Sequence, residues 1–231
     1  EMTIRPALSG PMKAPNEKSD WTSITIGSLI CFLTAVQFSI YFSSLWPYFQ
    51  EMDSTATETF FGYITAIYSL GQGLASPVFG YWCNRIDQTK IPTLVGLIIM
   101  SLGNIFYMMI PFRLLPVKYM MMLSRGTMGI GGGIIGVLRT AAVTASTQAD
   151  RSRVMSITNG AFALGLTIGP AIQFLFNPLG YPGITIAEPL RINIYSSPAI
   201  SGFLTNIVCM ILVVFVYKDS RVGIYTIEEM D

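Results

Sequence analysis

The chain has 231 residues, of which 52% are hydrophobic and only 12% are charged, and its mean hydropathy is +0.54. Because a soluble domain carries about 25% charged residues, this composition excludes an ordinary soluble protein and predicts an integral membrane protein. The net charge of +1 gives no basis for nucleic-acid binding, and the absence of His removes the usual metal ligand. The three cysteines lie far apart without metal-binding spacing, so neither a metal site nor a cofactor is predicted.

Residues 1–21 are predicted to form a disordered cytosolic tail, because they contain three prolines, mixed charge and no apolar run. Residues 22–217 contain six segments that reach the roughly 20 mostly apolar residues needed to cross a bilayer. In chain order these predicted spans are 23–46, 60–82, 92–110, 119–145, 154–176 and 195–217. The alternating pattern of a membrane β-barrel is missing, so the predicted fold is all-α with six transmembrane helices. Residues 218–231 are polar and are predicted to begin a cytosolic linker or to form a truncated tail.

The distribution of Lys and Arg predicts the orientation of these spans. If the amino terminus is cytosolic, nine of these residues lie on the cytosolic side, three on the opposite side and two within a span. The positive-inside rule therefore places both termini in the cytosol. All thirteen acidic residues lie in tails or loops, so the spans offer no intramembrane carboxylate of the kind that proton-coupled carriers usually contain.

Polar side chains within the spans are candidates for neutral hydrogen bonds to a solute. Gln37 and Tyr41 recur at helical spacing on one face of the first span. Gln72 in the second span and Gln173 in the fifth are the other two candidates, and for each of the four the alternative is a packing role. The first, second, fourth and fifth spans are predicted to line the interior, because the third and sixth are almost entirely aliphatic and aromatic.

Small residues spaced by three or four positions allow transmembrane helices to approach closely. The second span carries a stripe of them, and the fourth and fifth spans contain pairs of glycines with this spacing. The candidates for helix packing or hinge motion are Pro77, Gly129, Gly133, Gly165, Gly169 and Pro170. Two interpretations remain open: tight static packing, or a bundle whose helices slide and rock.

Two arginines lie inside the fourth predicted span, Arg125 well below its outer end and Arg139 near its inner end. Each costs about 2.5–3.5 kcal/mol to insert, so a reason for their presence is needed. Fourteen steps at 3.6 residues per turn place both on nearly the same face. The functional interpretation is a positively charged route for a small anionic solute, with Arg125 as the main binding group. In the structural interpretation each arginine braces the bundle, and Asp87 or Asp150 is the expected partner of Arg139.

The segment "GYWCNRIDQTK" after the second span resembles the cytosolic loop signature of the major facilitator superfamily. Gly80, Arg85 and Lys90 match that signature, whereas Asn84 stands where the family usually has Asp, and Asp87 where it usually has Gly. "RGTMGIGGG" and "GLTIGP" resemble the motifs of the family's fourth and fifth helices. Since the family's loop Asp is replaced by Asn84, the resemblance makes Asp87 the candidate for the charge-relay role of that Asp.

Three longer stretches, "SSLWPYFQEMDSTATETFFGYITAIYSLGQGLASPVFG", "SRGTMGIGGG" and "RINIYSSPA", look like one lysosomal subfamily, the one altered in late-infantile neuronal ceroid lipofuscinosis. The resemblance implies a multi-spanning carrier or channel of the lysosomal membrane for an anion such as chloride or a small organic anion. It also implies a twelve-helix architecture, of which this chain would be the N-terminal half. Its expected partners are the lipid bilayer, a small anionic solute, and a second six-helix half or another copy of the chain.

One alternative to transport follows from the sequence. A truncated product would act as a non-transporting membrane scaffold or as a regulator of a full-length transporter. An enzyme is not expected, because HExxH and GxSxG motifs are both missing from the chain.

Overall fold

The computed structural model describes residues 18–187 and 190–220. Most of the predicted tail (1–21) and most of the predicted linker (218–231) lie outside the described residues. The helices are α1 (Trp21–Met52), α2 (Glu58–Ile86), α3 (Lys90–Met108), α4 (Val117–Gly132), α5 (Ile134–Thr144), α6 (Arg151–Phe174) and α7 (Ser197–Phe215). Short 3-10 turns follow α3 and α6 at Ile110–Phe112 and Asn177–Leu179.

The prediction of an all-α membrane protein is confirmed, with two local differences. Strands β1 (Ile184–Ala187) and β2 (Leu190–Ile192) pair antiparallel in the loop before α7, a feature that the sequence did not predict. The predicted fourth span is divided into α4 and α5, which meet at Gly133. Glycine disfavours a continuous helix by about 1 kcal/mol relative to alanine, and three glycines in succession precede the start of α5.

Five stretches of the described chain are long and apolar enough to cross a membrane by length and composition. They are Trp21–Met52, Lys90–Met108, Val117–Thr144, Arg151–Leu179 and Ser197–Phe215. The helix α2 has 29 residues but is not among them, since its Gly, Ser, Gln and Asn residues lower its hydropathy. The six-span topology with α2 as the remaining span therefore stays a prediction.

Glycines bring the helices together in pairs. On α4, a Cβ atom at Gly129 would lie 2.9 Å from the Tyr68 Cα of α2, so the α2–α4 contact needs a residue without a side chain. Gly133 packs in the same way against Ala75, at 2.9 Å from its Cβ. On α6, a Cβ atom at Gly165 would lie 2.8 Å from the Ala35 Cβ of α1.

Gly169 lies one turn after Gly165 on α6, and a Cβ atom there would lie 3.0 Å from the Ile40 nitrogen of α1. Helix α1 therefore packs along α6, and α2 packs along α4, while α3 lies against α4 and α7. Pro77 lies inside α2 and is exposed, and Pro170 lies inside α6 and is half-buried.

Small residues on α2 and α6 are left uncovered by the described part of the chain. We call this side of the bundle, where α1 and α5 lie between α2 and α6, the open face. Its exposed small residues are Gly62, Ala66, Ser69 and Gly73 of α2 and Ser156, Gly160, Ala163 and Thr167 of α6. A Cβ atom at Gly62, Gly73 or Gly160 would meet no atom within 4 Å. The first four small residues of the second span thus do not pack within the described bundle, whereas Ser76, further along the same helix, donates to the Gly133 carbonyl at 3.3 Å.

Candidate solute-binding site

The side chain of Arg125 lies in the interior of the bundle and is only 3% exposed. Its guanidinium carbon lies 4.8 Å from the ring centre of Tyr41, 4.7 Å from that of Tyr68 and 5.9 Å from that of Phe38. We call these three residues the aromatic enclosure. Phe38 and Tyr41 come from α1 and Tyr68 from α2, so three helices meet at the charge.

The polar contacts of Arg125 are few. One guanidinium nitrogen, Nη1, donates to the sulfur of Met128 at 3.7 Å, and Nε is buried with no hydrogen-bond partner in the described chain. A cation over an aromatic face gains about 0.5–2 kcal/mol, whereas removing an ion from water costs several kcal/mol. The enclosure therefore compensates the charge only in part. In this conformation Arg125 does not face an aqueous route, as the sequence had suggested, because rings from α1 and α2 cover it.

The polar face of α1 meets α3 and α7. Tyr41 is fully buried, and its hydroxyl donates to the side-chain oxygen of Asn104 at 2.9 Å. The Asn104 nitrogen donates in turn to the Met100 carbonyl at 2.9 Å. Gln37 lies close to Gly202 of α7, where a Cβ atom would be 3.0 Å from the Gln37 nitrogen. Both amide atoms of Gln37 are buried without a partner among the described residues.

Sequence reasoning missed Asn104, since α3 was expected to lie outside the interior. The available signal was a single Asn within an otherwise apolar segment, which usually faces protein rather than lipid. Tyr68 was missed as well, although it lies one helical turn before Gln72 on α2.

Arg139 occupies a more open position on α5. It is half-buried, and its guanidinium carbon lies 4.6 Å from the ring centre of Phe162 on α6. A cavity of about 380 Å³ lies beside it, lined by Arg139, Thr140, Val143, Met155, Thr158 and Asn159. The expected brace Asp150 is engaged elsewhere, because it accepts hydrogen bonds from the hydroxyls of Ser19 and Thr147 at 2.5 and 3.2 Å.

The two arginines lie about four helical turns apart along the chain and have different aromatic neighbours. Arg125 contacts α1 and α2, whereas Arg139 contacts α6.

The other two glutamines make hydrogen bonds to backbone carbonyls rather than to an arginine of the described chain. Gln72 is half-buried on α2, and its nitrogen donates to the Gly132 carbonyl at 3.3 Å. Gln173 is buried near the carboxyl end of α6, and its nitrogen donates to the Ile194 carbonyl at 3.1 Å. Gln173 lines a separate cavity of about 250 Å³. Of the six predicted route residues, the structure thus groups Arg125 and Tyr41, with Gln37 close by.

Comparison with the sequence models of known protein families identifies the family of this chain. The sequence model of the Major Facilitator Superfamily matches residues 27–228. The chain belongs to the major facilitator superfamily. The resemblance of its loop and helix motifs to this family is thereby confirmed.

Curated relatives from the superfamily match most of the chain. Major facilitator superfamily domain-containing protein 8 of Xenopus laevis is 35% identical over 206 residues, which cover 89% of this chain and 40% of the relative. The multidrug transporter mfsB of Aspergillus fumigatus is 26% identical over 93% of this chain and 36% of its own length. Multidrug resistance protein 2 of Bacillus subtilis is 27% identical over 69% of this chain and 35% of its own length. The chain therefore spans about two fifths or less of the relatives it matches.

The superfamily loop motif lies at the predicted cytosolic ends of α2, α3 and α7. Asp87 ends α2 in a left-handed conformation with φ of 60°, which Gly adopts most easily and Asp tolerates better than most residues. This conformation explains how Asp can replace the Gly that is usual in the family. Gly80 and Asn84 line a cavity of about 380 Å³ together with Asp87.

The basic residues of the loop motif have different surroundings. Lys90 Nζ donates to the Val214 carbonyl in the last turn of α7 at 2.7 Å, a favourable position for a cation beside a helix carboxyl end. Arg85 is exposed and donates to the Tyr81 hydroxyl at 3.4 Å. Lys90 therefore links α3 to α7, while Arg85 stays on its own helix.

Proposed function

We propose that this chain forms one half of a major facilitator transporter that carries a small anionic solute, such as chloride or a small organic anion, across the lysosomal membrane. The observation that carries the proposal is the buried Arg125 guanidinium, which has a free donor and no carboxylate near it among the described residues. A permanently charged, under-compensated cation within a membrane bundle favours an anionic ligand.

Arg139 is the accessible part of the same route. Its cavity combines one guanidinium with the polar side chains of Thr140 and Asn159, both of which are exposed. In the proposed orientation Arg139 lies toward the cytosol, so an anion that enters from that side meets Arg139 first. Attraction by a fixed positive charge raises the local concentration of anions at such an entrance.

The proposed assembly has six spans with cytosolic termini and pairs through its open face with a second six-helix half or another copy. The exposed small residues of α2 and α6 support this pairing, since such residues allow membrane helices to pack closely. In transporters of this kind, the solute lies between two halves that rock about it. The lysosomal location is inferred from the motif resemblance to the lysosomal subfamily.

Flux measurements in proteoliposomes test the proposal. The protein is reconstituted at densities that allow copies to pair, and efflux of chloride and of formate is compared with that from empty liposomes. We expect Arg125→Gln to abolish the protein-dependent flux, while Arg113→Gln, at an exposed position outside the helices, leaves it unchanged. Flux that persists in Arg125→Gln would contradict the proposed role of this residue.

Absence of flux at every protein density would favour the non-transporting scaffold instead. In that case the same preparation should still show self-association through the open face. Chemical crosslinking between cysteines introduced at Gly73 and Ala163 would report it, since both positions are exposed on that face.

A further inference from the structure

The ring of Phe38 is the least firmly held part of the aromatic enclosure. It lies 5.9 Å from the Arg125 guanidinium carbon, farther than the other two rings at 4.8 and 4.7 Å. Tyr41 is held by a hydrogen bond from its hydroxyl at 2.9 Å. Tyr68 belongs to the tightest part of the α2–α4 contact, where a Cβ atom at Gly129 would approach its carbonyl carbon to 2.9 Å. Phe38 is only half-buried.

Phe38 also connects Arg125 to the open face. Its ring makes an edge contact at 5.0 Å with the ring of Phe42, which is 56% exposed. Phe38 faces α2, with its ring 4.7 Å from that of Tyr68. The neighbouring Ser39 faces α6, because its hydroxyl donates to the Gly165 carbonyl at 3.2 Å. Phe42, one turn beyond Phe38, therefore points between α2 and α6, onto the open face.

We infer that Phe38 is a gate for the solute at Arg125. In the closed form described by the structure, its ring rests on Tyr68 and separates the guanidinium from the open face. When the ring turns away toward Phe42, the guanidinium becomes accessible from that face. This inference rests on the proposed function, because only an anion transporter would have an anion to bind at the opened site.

The groups around Arg125 determine whether the open or the closed form of the gate is favoured. The closed form offers Arg125 ring faces and one thioether but no acceptor oxygen in the described chain. A carboxylate or halide that reaches the opened site replaces one ring contact with a charge-assisted contact, which is the stronger of the two. Because the anion binds only the open form, it shifts the population toward that form. Without the anion, the contact of the Phe38 ring with the Tyr68 ring favours closure.

Phenylglyoxal labelling tests the gate, since this reagent modifies accessible guanidinium groups. The modification rate of Arg125 is measured by peptide mass spectrometry, with the exposed Arg113 as the internal reference. Removing the ring in Phe38→Ala should raise the relative rate at Arg125 about tenfold, because a cation contact and an aromatic pair are lost together. The matched control is Phe61→Ala, which removes a half-buried ring of the same core that contacts Trp46 at 5.1 Å. This control should leave the rate unchanged.

Added formate should slow the labelling of Arg125 in Phe38→Ala if the opened site binds an anion. Equal rates in the wild type and Phe38→Ala would overturn the gate, even if flux depends on Arg125. A similar rise in Phe61→Ala would also overturn it, since general loosening would then explain the effect. A rise confined to Phe38→Ala, with no effect of formate and no dependence of flux on Arg125, would support Phe38 as a barrier and refute the proposed anion function.

Discussion

Arg125 and Arg139 come from one apolar segment of the sequence, yet the structure gives them opposite surroundings. Arg125 is 3% exposed, is enclosed by three rings and lies where glycines bring α2 and α4 into direct contact. Arg139 is half-buried beside one ring and a cavity of about 380 Å³. The comparison teaches that the deeper arginine is enclosed where neighbouring helices pack closely, whereas the arginine near the end of the span stays half-buried beside a cavity.

An added methyl group should destabilise the protein in the Arg125 region and stabilise it in the Arg139 region. This difference is the largest effect on stability that we expect. Gly129→Ala places a Cβ atom against the Tyr68 backbone and should lower the free energy of unfolding by about 1–3 kcal/mol. Gly136→Ala meets no atom within 4 Å and should raise it by up to about 1 kcal/mol through helix propensity. Thermal unfolding in detergent measures both, and equal shifts would contradict the contrast in packing.

Loss of a hydrogen bond should also destabilise the protein more in the Arg125 region than in the Arg139 region. Tyr41→Phe leaves the buried Asn104 oxygen without its hydrogen-bond donor. This change should lower the free energy of unfolding by about 1–3 kcal/mol. Thr140→Ala removes an exposed hydroxyl that bonds its own helix and should change stability by less than about 0.5 kcal/mol. A denaturation midpoint that moves as far for Thr140→Ala as for Tyr41→Phe would show that the Arg139 region is as tightly packed.

Neutral replacement of the arginines gives a smaller effect on stability. Arg125→Met removes an under-compensated buried charge while keeping an unbranched apolar side chain, so it should stabilise the bundle by about 1 kcal/mol. Arg139→Met should leave stability within about 0.5 kcal/mol, since this residue is half-buried beside an open cavity. Arg125→Met should also lose anion flux, and a strongly destabilised Arg125→Met would mean that the enclosure fully compensates the charge.

Much of the fold could be predicted from the sequence, because long apolar segments in a chain with 12% charged residues leave only helices as spanning elements. The family was recognisable from its loop and glycine motifs, and the match over residues 27–228 confirms it. The division at Gly133 was not predicted, since hydropathy reports apolar length and not helix continuity. The paired strands before α7 were missed for a related reason, because they are too short to give a periodic pattern.

The candidate site was less predictable. Helical spacing placed Gln37 and Tyr41 on one face of α1, but it could not show that this face meets Asn104 of α3. Two intramembrane arginines were visible in the sequence, but their surroundings depend on which helices pack against each one. Phe38 and Tyr68 look like ordinary core residues in sequence, and only the geometry places their rings around Arg125.

The most direct test of the account is an anomalous-scattering map of the protein crystallised in bromide, a halide that substitutes for chloride. In the conformation described above, we predict a bromide peak within hydrogen-bonding distance of the Arg139 guanidinium and none at Arg125. In Phe38→Ala, a second peak should be present at Arg125. A peak at Arg125 with the Phe38 ring in place, or no peak at either arginine, would contradict the account.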